Sequence, residues 1–147
     1  MPVSAAETTR RVEACSQALR AEGFRITHQR LEIMREIASS DEHPDVERVY
    51  QGVRERMPTV SLDTVYRTLG TLADLGLITR VTSTSGVARY DANATHHHHF
   101  VCSKCGLMAD IDSDELDAIQ APVEATAMGA IESIEVHLRG VCRDCAV

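Results

Sequence analysis

The sequence predicts an α+β protein: a winged helix-turn-helix in residues 1–90, a short hinge at 91–95 and a small α/β domain in 96–147. Three observations carry that reading. Apolar residues recur at three- and four-residue spacing in successive stretches before residue 76, and two short strand-like stretches follow. Two Cys-x-x-Cys pairs, Cys102/Cys105 and Cys142/Cys145, bracket the C-terminal part. The charge is split: residues 1–90 balance 12 Arg against 12 Asp and Glu, whereas 91–147 carry three Lys and Arg against ten Asp and Glu, which accounts for the whole net charge of −7. At 147 residues and 44% apolar, the chain suits one ordinary domain or two small ones.

The elements follow in order. Residues 6–22 read as a helix with Val12, Cys15 and Leu19 inward, ended by Gly23; Cys15 is assigned to packing. Thr27 caps a second helix, with Leu31, Met34 and Ile37 on its inner face. Residues 39–44 form a loop. Asp45 opens a third helix, with Val46, Val49 and Val53 inward, which stops before Pro58. Ser61 caps the fourth, 61–75, and Asp63 suits the positive end of its dipole. Val65, Leu69, Leu72 and Leu75 form its apolar stripe, Tyr66 and Arg67 flank it, and Gly76 ends it. Residues 78–81 and 87–90 then pair as a wing around a Ser/Thr/Gly turn. Past the hinge, strands are expected at 96–102 and 107–112, a helix around 113–128 and a strand at 131–138.

No stretch is long and apolar enough to span a membrane, and residues 1–11 lack the apolar core of a secretory signal, so a cytoplasmic protein is expected. In that compartment five cysteines point to metal ligands before disulfides. A two-residue gap lets both thiolates of a pair reach one Zn²⁺ at about 2.3 Å, and two pairs complete a closed, structural Cys₄ site. The four consecutive histidines at 96–99 are internal, unlike a purification tag. Strand parity divides them: His97 and His99 leave one face, His96 and His98 the face of Phe100 and Cys102. His97 and His99 can therefore converge on a metal distinct from the zinc. His43, Asp91 and Asp110 supply further nitrogen and oxygen ligands, a set suited to Fe²⁺ or Mn²⁺. A metal held by both domains would fix their relative angle.

Six stretches carry a family resemblance: GFRITHQR (23–30), HPDVERVY (43–50), SLDTVYRTLGTLADLGLI (61–78), RYD (89–91), HHHHFVCSKCG (96–106) and GVCRDC (140–145). Together, in this order, they resemble the ferric uptake regulator family across nearly the whole chain. The resemblance implies a homodimeric, metal-dependent transcriptional repressor with an N-terminal winged helix, a C-terminal dimerisation domain and a structural zinc. The peroxide-responsive branch is most similar. Its regulatory site of three His and two Asp falls on His43, Asp91, His97, His99 and Asp110; iron-sensing members typically have Glu at the two Asp positions. The chain also has His98 where iron-sensing members often carry an acidic ligand within the His run, and Ile134 near where another site often includes a His. A third site built from His96, His98, Asp117 and His137 would accordingly be weak. The implied mechanism is oxidation of His97 or His43 by peroxide at bound Fe²⁺, loss of the metal and release of DNA.

The winged helix predicts binding of a palindromic double-stranded operator, with helix 61–75 in the major groove. Tyr66 and Arg67 are the expected base or backbone contacts, Ser61 and Thr64 lie at the helix N-terminus near phosphates, and Arg25, Thr27 and Arg30 add phosphate contacts. Arg supplies every Lys or Arg of residues 1–90, and its planar fork suits phosphate and guanine. Two alternatives remain: a repressor of Fe, Zn or Mn uptake, and a zinc hydrolase. No HExxH or HxE…PCxxC pattern is present to support the latter, so no enzyme is expected.

Overall fold

Four helices, each opened by a side-chain cap, build the first part of the chain. They are α1 (Ala5–Ala21), α2 (His28–Ala38), α3 (Val46–Arg56) and α4 (Leu62–Asp74). Ser4, Thr27, Asp45 and Ser61 each accept the backbone N–H three residues on, so every helix start has one of its otherwise unpaired donors satisfied. The computed structural model describes residues 3–83 and 85–147; Met1, Pro2 and Thr84, the last within the expected wing turn, lie outside the described residues. The chain divides into a unit ending at Ala94 and a unit beginning at Thr95.

In the first unit α1 packs on α2, α2 on α3 and α3 on α4. Leu19, Ile33, Met34, Val49, Val65 and Leu69 are fully buried between them, each contributing roughly 1.5–3 kcal/mol of burial free energy. Strands β1 (Thr79–Thr82) and β2 (Ala88–Asp91) pair antiparallel, Thr79 opposite Asp91. Both begin one residue later than the sequence suggests. Ile78 N–H still bonds back to the Leu72 carbonyl at the end of α4, and the Val87 carbonyl accepts from Ser83 in the turn.

The second unit is a three-stranded sheet in the order β4-β3-β5, with β3 (His98–Cys102) central. β4 (Met108–Ile111) runs antiparallel to it and β5 (His137–Gly140) parallel. Two expectations fail here. The helix around 113–128 is two single turns, α5 (Asp114–Asp117) and α6 (Val123–Thr126), because Pro122 lacks an N–H and keeps Ala121 out of the helical region. The strand expected at 131–138 starts only at His137: Val136 gives its N–H to a side chain, His98 Nδ1 (3.0 Å), rather than to the ladder. The apolar core of this unit is small: Val101, Cys102, Met108 and Cys142 are its buried apolar residues.

Candidate metal centres

The four paired cysteines meet at the end of this sheet. Cys102 closes β3, and Cys105 follows a turn that Gly106 completes at φ +76°. Cys142 leaves β5, and Cys145 ends a single 3₁₀ turn, Arg143–Cys145. All four sulfurs lie within 4.8 Å of one another, and Cys105 Sγ is 3.7 Å from Cys142 Sγ. Four arms of about 2.3 Å at tetrahedral angles end about 3.8 Å apart, so the cage has the dimensions of a Zn²⁺ thiolate site. The N–H groups of Cys105 and Cys142 donate to Cys102 Sγ, and they bring its thiol down to about 6. The neighbouring sulfurs, Cys142 first and then Cys105, push Cys145 up to about 12, a crowding that a divalent cation would relieve. Lys104 Nζ donates to the Cys145 carbonyl and ties the two knuckles together.

The histidine run splits by parity as expected. On one face His97 Nε2 and His99 Nε2 are 3.1 Å apart, and Asp110 Oδ1 lies 3.3 Å from the first and 3.6 Å from the second. Asp110 is there because it stands opposite His99 across the β3–β4 ladder. Two ligands on arms of about 2.1 Å at right angles end about 3.0 Å apart, so these three atoms have the spacing of neighbours around one ion. His97 donates its Nδ1–H to the Thr95 carbonyl (2.6 Å), which leaves the Nε2 lone pair for a ligand.

His137 joins this face and not the other, correcting the grouping with His96, His98 and Asp117. In the parallel register it stands beside His99, their rings 5.1 Å apart, and Glu135 shares the cluster. Parity of one strand alone could not have shown this, since it depends on pairing across 38 residues. On the opposite face Asp117 Oδ1 is 2.9 Å from His98 Nε2 and 3.5 Å from His96 Nε2. His98 Nδ1 already accepts the Val136 N–H, so its Nε2 carries the ring proton and donates to Asp117. A neutral imidazole engaged in this way has no lone pair left for a metal.

The first unit holds a second pair of candidate ligands. Tyr90 N–H donates to the Pro44 carbonyl, which fastens β2 to the loop after α2. That bond sets Asp91 Oδ2 3.1 Å from His43 Nε2, while Asp91 Oδ1 accepts the Asn93 N–H. Both side chains are buried, and His43 adopts a left-handed φ of +52°, a conformation that costs energy and concentrates at functional positions.

The expected DNA-contact residues occupy the outer side of the helical unit. Ser61 caps α4 and its hydroxyl is 2.8 Å from that of Thr64. Tyr66 is 62% exposed, which excludes a core-packing role. Arg67 is exposed and ion-paired to Asp63 (2.8 Å), a partner that the sequence reading did not connect with it although the i,i+4 spacing was visible. Thr27 caps α2, Arg25 is exposed, and Arg30 donates to the Arg25 carbonyl while lying over the Phe24 ring.

The sequence profile of the ferric uptake regulator family matches residues 21–139. The peroxide-responsive repressor PerR of Staphylococcus epidermidis is 31% identical over 134 residues, covering 91% of this chain and 89% of that protein. Among solved structures, a zinc-bound manganese uptake regulator superposes with a TM-score of 0.70 at 30% identity, over 87% of this chain and 98% of that one. The Helicobacter pylori ferric uptake regulator Fur, with three functional metal-binding sites, superposes with a TM-score of 0.80 over 95% of this chain and 94% of that one. Its identity is 22%, so that likeness is one of fold.

Proposed function

Since the chain belongs to the ferric uptake regulator family, we propose that it is a homodimeric, metal-dependent transcriptional repressor that senses hydrogen peroxide and is not an enzyme. Cys102, Cys105, Cys142 and Cys145 hold a structural Zn²⁺. His43 and Asp91 of the first unit and His97, His99 and Asp110 of the second hold one regulatory Fe²⁺ or Mn²⁺; of the expected hinge 91–95, Asp91 belongs to β2 and the residues after it join the two units. The observation that carries the peroxide reading is the aspartate at 110, set 3.3 Å from His97 and 3.6 Å from His99. The likeness to a peroxide-responsive repressor supports it.

Fe²⁺ held there would supply the chemistry by which one oxygen of hydrogen peroxide would enter a ring C–H of His97 or His43 while the other left as water; Mn²⁺ would tie the same residues and leave the rings unoxidised. Thr95 holds the His97 ring in place through Nδ1–H, so the Nε2 lone pair faces the ligand cluster. An oxidised ring is a poorer donor, the tie between the units is lost, and the DNA grip with it. In the second unit Ile119, Val123, Met128, Ile131 and Leu138 are exposed, apolar side chains that a second copy of the chain would cover. Two copies would present two copies of α4 and read a palindrome.

The test uses zinc-loaded protein charged anaerobically with Fe²⁺ or Mn²⁺, given about one equivalent of hydrogen peroxide, and assayed on a duplex selected from random sequence. Loss of binding with Fe²⁺ alone, together with one added oxygen on His97 or His43 in peptide mass spectra, is expected. Retained binding and unmodified histidines in both samples would leave a metal-uptake repressor, the reading favoured by the likeness to a manganese uptake regulator.

A further inference from the structure

The outward face of α4 carries Leu62, Asp63, Tyr66 and Arg67, opposite the buried Val65, Thr68, Leu69 and Leu72. A carboxylate on this face is unexpected for a surface meant to meet phosphates: it repels the polyanion and lowers affinity for every sequence alike. Here it is not loose. Asp63 Oδ2 lies 2.8 Å from one terminal nitrogen of Arg67, and the two side chains remain 66% and 77% exposed, so the pair stands on the open surface of the helix. An arginine held at one nitrogen keeps its remaining N–H groups free, now with a restricted direction. A fork of that kind can meet O6 and N7 of a guanine, and it pays less entropy on binding than a free arginine.

We propose that Asp63 is a positioning residue for base readout: through Arg67 it selects guanine at one position of each operator half-site, at the expense of general affinity for DNA. This rests on the DNA-binding reading above. The pair also supports the helix, since Asp precedes Arg by one turn, but a purely helical role predicts no change in sequence preference. A mis-docked duplex leaves the Asp63 charge facing phosphate, so the same group penalises the wrong sequence.

The experiment takes Mn²⁺-loaded, zinc-replete protein as wild type, Asp63→Asn, Arg67→Ala and the double variant. Each is used to select operators from random duplexes, and affinities are measured for the selected and a scrambled duplex over a salt series. For Asp63→Asn the expected result is at least about tenfold less discrimination at one guanine. Binding to scrambled DNA should tighten, with a salt slope steeper by about 0.9 as the released Arg67 takes a phosphate. In the Arg67→Ala background Asp63→Asn should change the sequence preference no further. An unchanged preference for Asp63→Asn overturns the proposal, as does a further change in the double variant, which would make Asp63 a direct reader. If wild type enriches no sequence at all, it is the DNA-binding reading that has failed; circular dichroism of each variant separates loss of fold from either result.

Discussion

His98 has both ring nitrogens engaged, one by the Val136 N–H and the other by Asp117, and its side chain is fully buried. It therefore fastens α5 and the entry to β5 onto the central strand. Replacing it with Ala removes two hydrogen bonds, one of them to the part-buried Val136 N–H, and opens a cavity, for a cost of about 2–4 kcal/mol. A thermal melt of His98→Ala should show that loss while the bound regulatory metal stays at one per chain; a fall in metal with unchanged stability would make His98 a ligand instead. The cysteines carry a comparable burden, because four buried apolar residues are a small core for residues 95–147. Chelating the zinc, or changing Cys142 to Ser, should unfold the second unit while the first keeps its helical signal in circular dichroism. Persistence of the β3–β5 amide protection without zinc would show that the cage is not what holds this unit.

Helices α2 and α3 are joined by a charge network as well as by their apolar faces. Glu32, 8% exposed at its side chain, accepts from Arg56 (2.8 Å) and Arg35 (2.7 Å), and Arg56 also reaches Glu36 (2.7 Å). Gly52 makes room for this: a Cβ there would overlap the Glu36 carboxylate. The Arg56 hydrogen bond, with that of Arg35, holds Glu32 below its ordinary value of 4.5 despite burial. A depressed carboxyl stabilises the fold fully above its unfolded pKa and loses that contribution as pH falls through the folded one. Wild type should thus lose stability progressively below about pH 4.5. Glu32→Gln should melt lower near neutral pH, by about 1–3 kcal/mol, with a shallower acid limb; parallel acid limbs would rule Glu32 out as a cause. Elements of this kind were legible to different degrees. The helices announced themselves through Thr27, Asp45, Ser61 and the apolar spacing, all local signals. Alternation in 96–102 separated His97 and His99 from His98 for the same reason. What was not legible needed partners distant in sequence: the parallel register that sets His137 beside His99, and the Val136 donor that His98 captures. Pro122, by contrast, is a local signal, and the helix expected around 113–128 ran through it.

At the scale of the whole chain, the proposed regulatory ligands are divided: His43 and Asp91 belong to the unit ending at Ala94, and His97, His99 and Asp110 to the unit beginning at Thr95. A metal bound by only one set has no coordination bond with which to tie the two units, and a ligand shifts an equilibrium only by its differential affinity for the two states. A metal bound by both sets favours whatever arrangement lets both reach it, and coupling of about 1–3 kcal/mol would raise operator affinity roughly 5- to 150-fold. Linkage requires the operator to raise metal affinity by the same factor. His43→Asn tests where that coupling resides, since Asn tolerates the left-handed backbone at φ +52° and the change leaves the second unit's ligands untouched. The expected outcome is Mn²⁺ affinity at least about tenfold weaker, by titration, and an operator affinity that no longer responds to Mn²⁺. His99→Ala, in the other unit, should give the same pair of losses, and the zinc should stay in both variants. If His43→Asn kept full Mn²⁺ affinity and lost only the response of DNA binding, the ion would be seated in the second unit alone. The first unit would then sense it through packing rather than through coordination.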